Sequence, residues 1–550
     1  MDSIKLIGCI GLLFAGLCGK AADNKEGIEL YQSGMYDVSK IYFLKNLETI
    51  VPEQKMEAYY YLGENYVMLG QIDSARIYYE KGMEIQPEYP YNRIGIGMLK
   101  LKEAEEEAED IFKEVLKTKG YKKDVRLQVA LARAYYYAGN REKAMEYIQQ
   151  AKEYDAESGL PYLLEGDILT KEGRIGEACA KYDMVLYFSP DCIGAYLKLA
   201  RLYMTANSSL SKENLNHVKE MAPDFCGTYG MLGELYEMSG DYSNAAKYYG
   251  EFIRCGYSDS GHRLRYAGIL YFNKQYEEMF PVINSVLKEL PDSKVAKRLY
   301  AYCLSKLETG TNGIDAIRHF METTSENECI AQDFLCYAEQ LASVERYDDA
   351  LSYYEKALLK DETKRELYRE MMDICIKTRQ PDRAIRYYRK YTETTDNCEP
   401  GDVLRLGKCF YDVACRDSVA ESRNRELMVA DSLFHIVSEE VPQSYVGYFW
   451  CARTNSMLDP ETAKGLARPY YEKVIEIALG QPERNKKELI ESYKYLGYYY
   501  YLQADAVTAK NNGNPLPAKT EYDTAKSYFY KVIGLDPSDE VAKQALEQIK

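Results

Sequence analysis

A small residue that recurs about every 34 positions constrains this chain more than any other feature. Ala132, Gly166, Ala200, Gly233, Ala267 and Ala301 follow one another at intervals of 34, 34, 33, 34 and 34 residues. Around these positions the same order of side chains returns. Tyr61-Leu62-Gly63-Glu64-Asn65-Tyr66 precedes Ala75, Tyr79, Gly82 and Pro87. Leu131-Ala132 with Tyr135 precedes Ala144, Ile148 and Ala151, and Leu232-Gly233 with Tyr236 precedes Ala245, Tyr249 and Phe252. Large residues four apart with a small residue between them place an apolar stripe on a helix of about three turns. Polar turns such as Gly70-Gln71-Ile72-Asp73 and Gly139-Asn140-Arg141-Glu142 end that helix, and Ala-x-x-x-aromatic supplies a second, antiparallel one. The small residues let the two helices approach closely, and the aromatic fills the gap between units. Proline closes the second helix at Pro87, Pro190, Pro223, Pro291, Pro442 and Pro537, because it cannot continue one. At 550 residues the chain exceeds what one core usually holds, and a fixed period turns that excess into an array of units.

A 34-residue helix pair with Leu-Gly-x-x-Tyr, Ala-x-x-x-Phe/Tyr and a closing proline resembles the tetratricopeptide repeat family. The resemblance covers about 13 or 14 units. It implies an all-α fold, a right-handed superhelical solenoid of antiparallel helix pairs, whose first helices line a concave groove that holds peptides or partner domains. The expected organisation is a signal peptide over 1–22, an N-terminal array over 23–225, a C-terminal array over 226–538 and a capping helix over 539–550. The split near Met221 to Phe225 follows a weak second helix at Asn207-Ser208-Ser209-Leu210-Ser211, which lacks the alanine and the aromatic. Further breaks in the period are expected to be a longer turn at Thr309 to Gly313, an extended helical hairpin over Ala414 to Glu426 until Ala430 and Phe434 restore register, a helix start at Asp459-Pro460-Glu461-Thr462, and a flexible loop over Ala504 to Thr520. The last third, with Gly447-Tyr448-Phe449-Trp450 and Tyr498-Tyr499-Tyr500-Tyr501, resembles exported repeat proteins of Gram-negative bacteria.

Residues 6 to 18 form one uncharged apolar run after Lys5, followed by Gly19-Lys20-Ala21-Ala22. That is too short to span a bilayer and has the small-residue exit of a secretory signal, with cleavage expected after Ala21 or Ala22. A lipid anchor at Leu6-Ile7-Gly8-Cys9 and a buried N-terminal helix are the alternatives; the lipoprotein-like box stands at the start of the apolar run instead of its end. Downstream, Lys, Glu or Arg interrupts every apolar stretch, so no membrane span is expected in the mature chain. The expected location is the periplasm or envelope of a Gram-negative bacterium. A formal charge of −16 with no strongly basic stretch argues against nucleic-acid partners, whose phosphates need a basic face. Cysteines are scattered singly without Cys-x-x-Cys, so they read as small buried hydrophobes, with one or two bridges open in an oxidising compartment.

Catalytic and cofactor motifs are missing from the sequence. The four histidines, His217, His262, His319 and His435, fall in different units without His-x-x-x-His or His-Glu-x-x-His spacing, so no metal site is expected. Gly95-Ile96-Gly97 lacks the third glycine of a dinucleotide fingerprint, and Ser285-Val286-Leu287-Lys288 lies in the middle of a repeat helix. No cofactor and no enzymatic activity are expected. The surplus is tyrosine, 55 against 14 phenylalanines and 1 tryptophan. Most of these rings, Tyr66, Tyr79, Tyr135, Tyr182, Tyr236, Tyr249, Tyr354 and Tyr388 among them, fit repeat packing positions. A second set falls on the groove face, where amphipathic rings bury area at low entropic cost. The partner-binding candidates are Tyr60, Arg133, Tyr136, Arg201, Tyr271, Arg369, Tyr411, Tyr498 and Tyr501. The expected function is a non-catalytic protein–protein interaction scaffold that binds a peptide or partner protein in this tyrosine-rich groove; the alternatives are a ligand-sensing regulator and an assembly or chaperone adaptor of an envelope complex. Against the chaperone adaptor, co-chaperones of the family carry a Lys-x-x-x-Asn clamp. The equivalent pairs here are Tyr60 with Glu64, Val129 with Arg133, Leu163 with Asp167 and Leu335 with Glu339, and none matches.

Overall fold

The computed structural model describes residues 23–307, 311–393 and 399–549. The expected signal segment, and the turn residues Thr309 and Gly310, lie outside them. Twenty-nine α-helices and one 3-10 turn are found among the described residues, with no strand. In chain order, first and second helices alternate from Lys25–Gln32 and Tyr36–Asn46 to Lys486–Lys510 and Lys519–Leu535, and Glu540–Gln548 closes the series behind an Asp539 cap. The fold is the expected all-α array of helix pairs. Contacts divide it into two units, Met1–Thr309 and Gly310–Lys550.

The period has a direct steric cause. A Cβ on Gly63 would stand 2.5 Å from Cδ1 and 2.6 Å from Cζ of Tyr79, which is fully buried on the partner helix Ile72–Ile85. Gly166 meets Tyr182 in the same way, Gly233 meets Tyr249, Gly407 meets Phe434 and Gly497 meets Phe529. Tyr79 also fills the space beside Gly95 of the next pair, so one ring locks three helices together. The six punctuating prolines each stand two residues beyond the end of a helix, after Ile85, Phe188, Met221, Glu289, Glu440 and Leu535.

The breaks in the period resolve differently from expectation in several places. Ser208–Met221 is a regular helix, started by the Asn207 side chain accepting from the Leu210 amide. Ser211 replaces the packing alanine there, with its hydroxyl satisfied by the Ala200 carbonyl at 2.8 Å. Thr311 already begins helix Thr311–Thr323, so the expected longer turn does not extend to Gly313. Over 414–426 the expectation holds: helix Ala420–Glu440 is 21 residues long, and Ala430 and Phe434 are buried in register. Asp459 does not start a helix. Its Oδ2 accepts from the amides of Lys464, Gly465 and Leu466, organising a loop, and the next helix begins at Arg468. Ala504 to Lys510 is not a loop but the last turns of helix Lys486–Lys510; the connection shrinks to 511–518, including the 3-10 turn Leu516–Ala518.

The first unit closes on itself. Helix Lys25–Gln32 packs on helix Ile193–Ala206, where Gly194 has no side chain to hold off the Gln32 backbone. Across the same seam the Cys226 thiol donates to Glu26 at 3.7 Å, the Tyr42 and Tyr257 rings meet edge-on at 5.0 Å, and Lys45 donates to the Gly256 carbonyl. His262 lies between Asp37, 3.4 Å from Nε2, and Asp259, 2.8 Å from Nδ1.

Candidate functional site: a tyrosine-lined cavity in the first unit

The first helices of five successive pairs converge on a cavity of about 320 Å³. Helix Lys25–Gln32 supplies Tyr31, helix Pro52–Met68 supplies Glu57, Tyr60 and Tyr61, and helix Pro90–Lys100 supplies Tyr91. Helix Val125–Tyr137 adds Arg126, Val129, Arg133 and Tyr136, and helix Leu160–Lys171 adds Leu163, Asp167 and Lys171. Residues at i, i+3 and i+4 on each helix share a face, so Val129, Arg133 and Tyr136 point the same way for a local reason. Tyr31 and Tyr36 of the first helix pair line the same space, Tyr31 meeting the Tyr61 ring of the next pair at 5.3 Å.

Three charge pairs frame the walls. Glu64, 3% exposed, accepts from the Tyr31 hydroxyl at 2.9 Å, the Tyr79 hydroxyl at 2.7 Å and Arg133 at 3.1 Å. Such a carboxylate has lost water but not its hydrogen bonds, which is what makes a buried charge tolerable. The guanidinium of Arg133 also donates to the Tyr60 hydroxyl at 3.4 Å and lies 5.4 Å from the Tyr31 ring centre. Glu57 accepts from Asn24 at 2.9 Å and Arg126 at 2.6 Å, and Arg126 lies over the Tyr91 ring. Asp167 accepts from the Tyr182 hydroxyl at 2.8 Å and pairs with Lys198 at 2.6 Å. Burial pushes the Tyr31, Tyr60 and Tyr79 hydroxyls well above the ordinary tyrosine range, so they remain donors. Burial works against the charge on Arg133, but the surrounding tyrosines and Glu64 outweigh it and hold the guanidinium protonated.

Of the nine groove candidates, Tyr60, Arg133 and Tyr136 line this one cavity. Tyr60 is buried and committed to Arg133, whereas Tyr136 is half-buried with Lys171 5.8 Å from its ring centre. Arg201 borders a second cavity of about 300 Å³ near His262 and pairs with Glu234 at 3.5 Å. Tyr271, expected on the groove face, is instead buried against Tyr302, with ring centres 5.2 Å apart. In the second unit Arg369 pairs with Glu399 and Asp402, and Tyr411 packs edge-on against Trp450, burial pushing its hydroxyl up to about 12. Tyr498 is exposed, and Tyr501 stands beside Tyr522 at another small cavity. The clamp register foresees more than the tyrosine list does: Tyr60, Val129, Arg133, Leu163 and Asp167 are all cavity wall, and Glu64 lies just behind it. Tyr31, Tyr36, Glu57 and Arg126 escape sequence reasoning. Asp-x-x-Leu from Asp124 to Leu127, a helix start with the Asp124 side chain as cap, is the one local signal that would have placed Arg126 on the first turn facing inward.

Helix pairs locked by a glycine under an aromatic ring, with polar side chains gathered on the face of the first helices, define a helical-repeat fold. Residues 56–89 match the tetratricopeptide repeat family, and residues 129–191 match it again. Tetratricopeptide repeats mediate protein–protein interaction, and the fold is typically a non-catalytic one. No curated protein matches the sequence. Among solved structures, the chain is similar to the C-terminal part of a TPR repeat-containing protein from Cytophaga hutchinsonii, at 27% identity over 52% of this chain and 99% of that one, with a TM-score of 0.36. It is also similar to a tetratricopeptide repeat protein from Parabacteroides merdae, at 17% identity over 46% and 98%, TM-score 0.30. A third similar structure is PilW, a type IV pilus biogenesis factor, at 17% identity over 38% and 96%, TM-score 0.31.

Proposed function

We propose that this protein is a non-catalytic scaffold of the bacterial cell envelope that holds a peptide segment of a partner protein in the tyrosine-lined cavity of its first unit. The observation that carries the reading is the convergence of five first helices on one cavity lined by six tyrosines together with aliphatic side chains. Most of its charges are paired internally, Arg133 with Glu64, Arg126 with Glu57 and Asp167 with Lys198, while Lys171 stands beside the Tyr136 ring. A wall of this kind offers area and hydroxyls more than net charge, so the segment it suits carries apolar or aromatic side chains on an extended backbone. Export and an envelope location rest on the apolar run of residues 6–18 and its small-residue exit.

Photocrosslinking tests it. A photoreactive residue at Tyr136, on the cavity wall, is expected to capture one defined envelope protein, whereas the same residue at Tyr187, an exposed ring on helix Ile175–Phe188, is expected to capture none. Equal capture from both positions, or none from Tyr136 in a processed and folded protein, overturns the reading. Mass spectrometry of the mature N-terminus checks export independently: an intact Met1 refutes a cleaved signal.

A further inference from the structure

Helix Ala420–Glu440 in the second unit carries Asp431 and His435 one turn apart, and the next helix, Tyr445–Leu458, brings Cys451 against them. One ligand-type atom from each of the three lies within 4.8 Å of the other two. The Asp431 Oδ2 is 3.7 Å from His435 Nε2, close to the roughly 3.4 Å that separates nitrogen and oxygen ligands on one tetrahedral zinc ion with bonds near 2.0 Å. Surrounding groups hold the donors in this arrangement. Asn455 donates to the other Asp431 oxygen, Oδ1, at 2.6 Å and to the Cys451 carbonyl at 3.0 Å, so one amide fixes the carboxylate and the strand of helix that bears the thiol. The Tyr470 hydroxyl stands 2.9 Å from His435 Nε2. Cys451 is wholly buried, while the His435 side chain is 41% exposed, so the cluster is closed on the thiol side and open to solvent on the imidazole side.

We infer that Asp431, His435 and Cys451 form a binding site for a zinc-type divalent cation, with water in the fourth position. Thiolate, imidazole and carboxylate together are the donor set of a borderline-soft ion, and the two negative charges of Asp431 and Cys451 balance a dication. Asn455, on the non-ligating Asp431 oxygen, is its outer-shell positioning residue, whereas the Tyr470 hydroxyl occupies the ligating Nε2 itself and gives way when the cation binds. Binding breaks the S–H bond of Cys451, passes the proton to solvent and uses the freed sulfur electron pair for the metal–sulfur bond. The sequence gives no such signal because the thiol comes from a different helix, 16 positions after the histidine. The other mixed cluster, Asp37, Asp259 and His262, differs: its carboxylates lie on opposite ring nitrogens of His262 and form an ion bridge.

Cobalt(II) is the spectroscopic probe, added to the chelator-treated full chain at pH 8. One equivalent is expected to give a near-ultraviolet thiolate-to-cobalt charge-transfer band with strong tetrahedral visible bands, and zinc is expected to displace both. Cys451→Ser is expected to abolish the charge-transfer band, and His435→Gln, at a partly exposed position, to weaken binding at least tenfold with the helical circular dichroism of the wild type retained. An absent charge-transfer band in the wild type, a band unchanged in Cys451→Ser, or unchanged affinity in His435→Gln overturns the assignment.

Discussion

Replacing Gly63 by alanine should destabilise the first unit, although alanine in a helix interior is normally the better residue. Intrinsic propensity favours the change by about 0.8–1 kcal/mol. Against that, the new methyl would stand 2.5 Å from Cδ1 and 2.6 Å from Cζ of Tyr79, and closer still to Cε1. Carbon–carbon contacts relax near 3.5–4.0 Å, so ring and helix must separate by about 1 Å. Tyr79 has no room to give: it is fully buried, its hydroxyl is bound to Glu64 at 2.7 Å, and its other side abuts the Gly95 backbone. Overpacking of this kind costs about 1–3 kcal/mol, and the 2.5 Å approach to a ring that cannot move puts Gly63 at the upper end, leaving a net loss of up to about 2 kcal/mol after propensity. Gly268, in the middle of helix Ser260–Phe272, is the control, because nothing lies within 4 Å of its added Cβ. There the same substitution should stabilise by about 0.8 kcal/mol. In a repeat array each unit couples to its neighbours, so hydrogen exchange over residues 52–85 reads the loss where it arises and denaturant midpoints confirm its sign. Equal effects at the two glycines would refute the reasoning that the 34-residue register is set by ring-to-backbone packing.

The Glu64 network gives a second test. Arg133→Met strands a buried carboxylate with two phenols and should cost about 3 kcal/mol, below the top of the buried-pair range because Arg133 is a quarter exposed; adding Glu64→Gln should recover more than half, measured by a double-mutant cycle in urea. Asn207→Ala removes the cap of helix Ser208–Met221 and should cost about 1 kcal/mol, seen as faster exchange in its first turn. At the seam, burial opposes charge on His262, but Asp259 and Asp37 outweigh it and raise its pKa above the ordinary value near 6.5. His262 in turn holds Asp259 below the usual carboxylate range. The histidine's contribution is therefore complete below about pH 6.5 and fades as pH rises through the raised value, while that of Asp259 is complete above about pH 4 and fades as its own lowered pKa is approached. The stability difference between wild type and His262→Gln should be largest at pH 5–6 and smaller at pH 9; a pH-independent difference would refute an ionic seam.

Most of the fold is legible in the sequence because its causes are local. Gly63 and Tyr79 belong to one helix pair, and their contact is repeated by Gly166 with Tyr182 and Gly233 with Tyr249, so register alone reveals it. The face of each first helix is local too, which is why Tyr60, Val129, Arg133, Leu163 and Asp167 can be aligned without coordinates. Loops read less well. Asp459-Pro460 carries the composition of a helix start, yet three downstream amides compete for the same carboxylate and make it the centre of a loop. Asn511-Asn512-Gly513 fixes where helix Lys486–Lys510 stops but not how far it runs beforehand. What the sequence does not express at all is contact over long separations. Glu26 with Cys226, and Asp37 with His262, depend on the summed curvature of the intervening helix pairs, to which every pair adds a small rotation that no motif records.

Pairing along the inner face bears on what the proposed cavity would recognise. Left unpaired, Arg126, Arg133 and Lys198 would be cations available to an acidic partner. In the closed first unit each is already paired, with Glu57, Glu64 and Asp167 respectively, at 2.6, 3.1 and 2.6 Å. An acidic ligand must displace those carboxylates and leave them desolvated, an exchange that removes as much as it adds. Tyr136, half-buried on the wall with Lys171 beside its ring, needs no such exchange. If the cavity holds a peptide as proposed, selection falls to ring contact and hydroxyl hydrogen bonds with Lys171 as the one lining cation outside an ion pair, and binding should weaken no more than about threefold between 50 and 300 mM salt, whereas recognition through several charges would be screened strongly over that range. Fluorescence anisotropy with the segment captured at Tyr136 decides between them: a steep loss of affinity with salt would show that the internal pairs open to receive a charged partner.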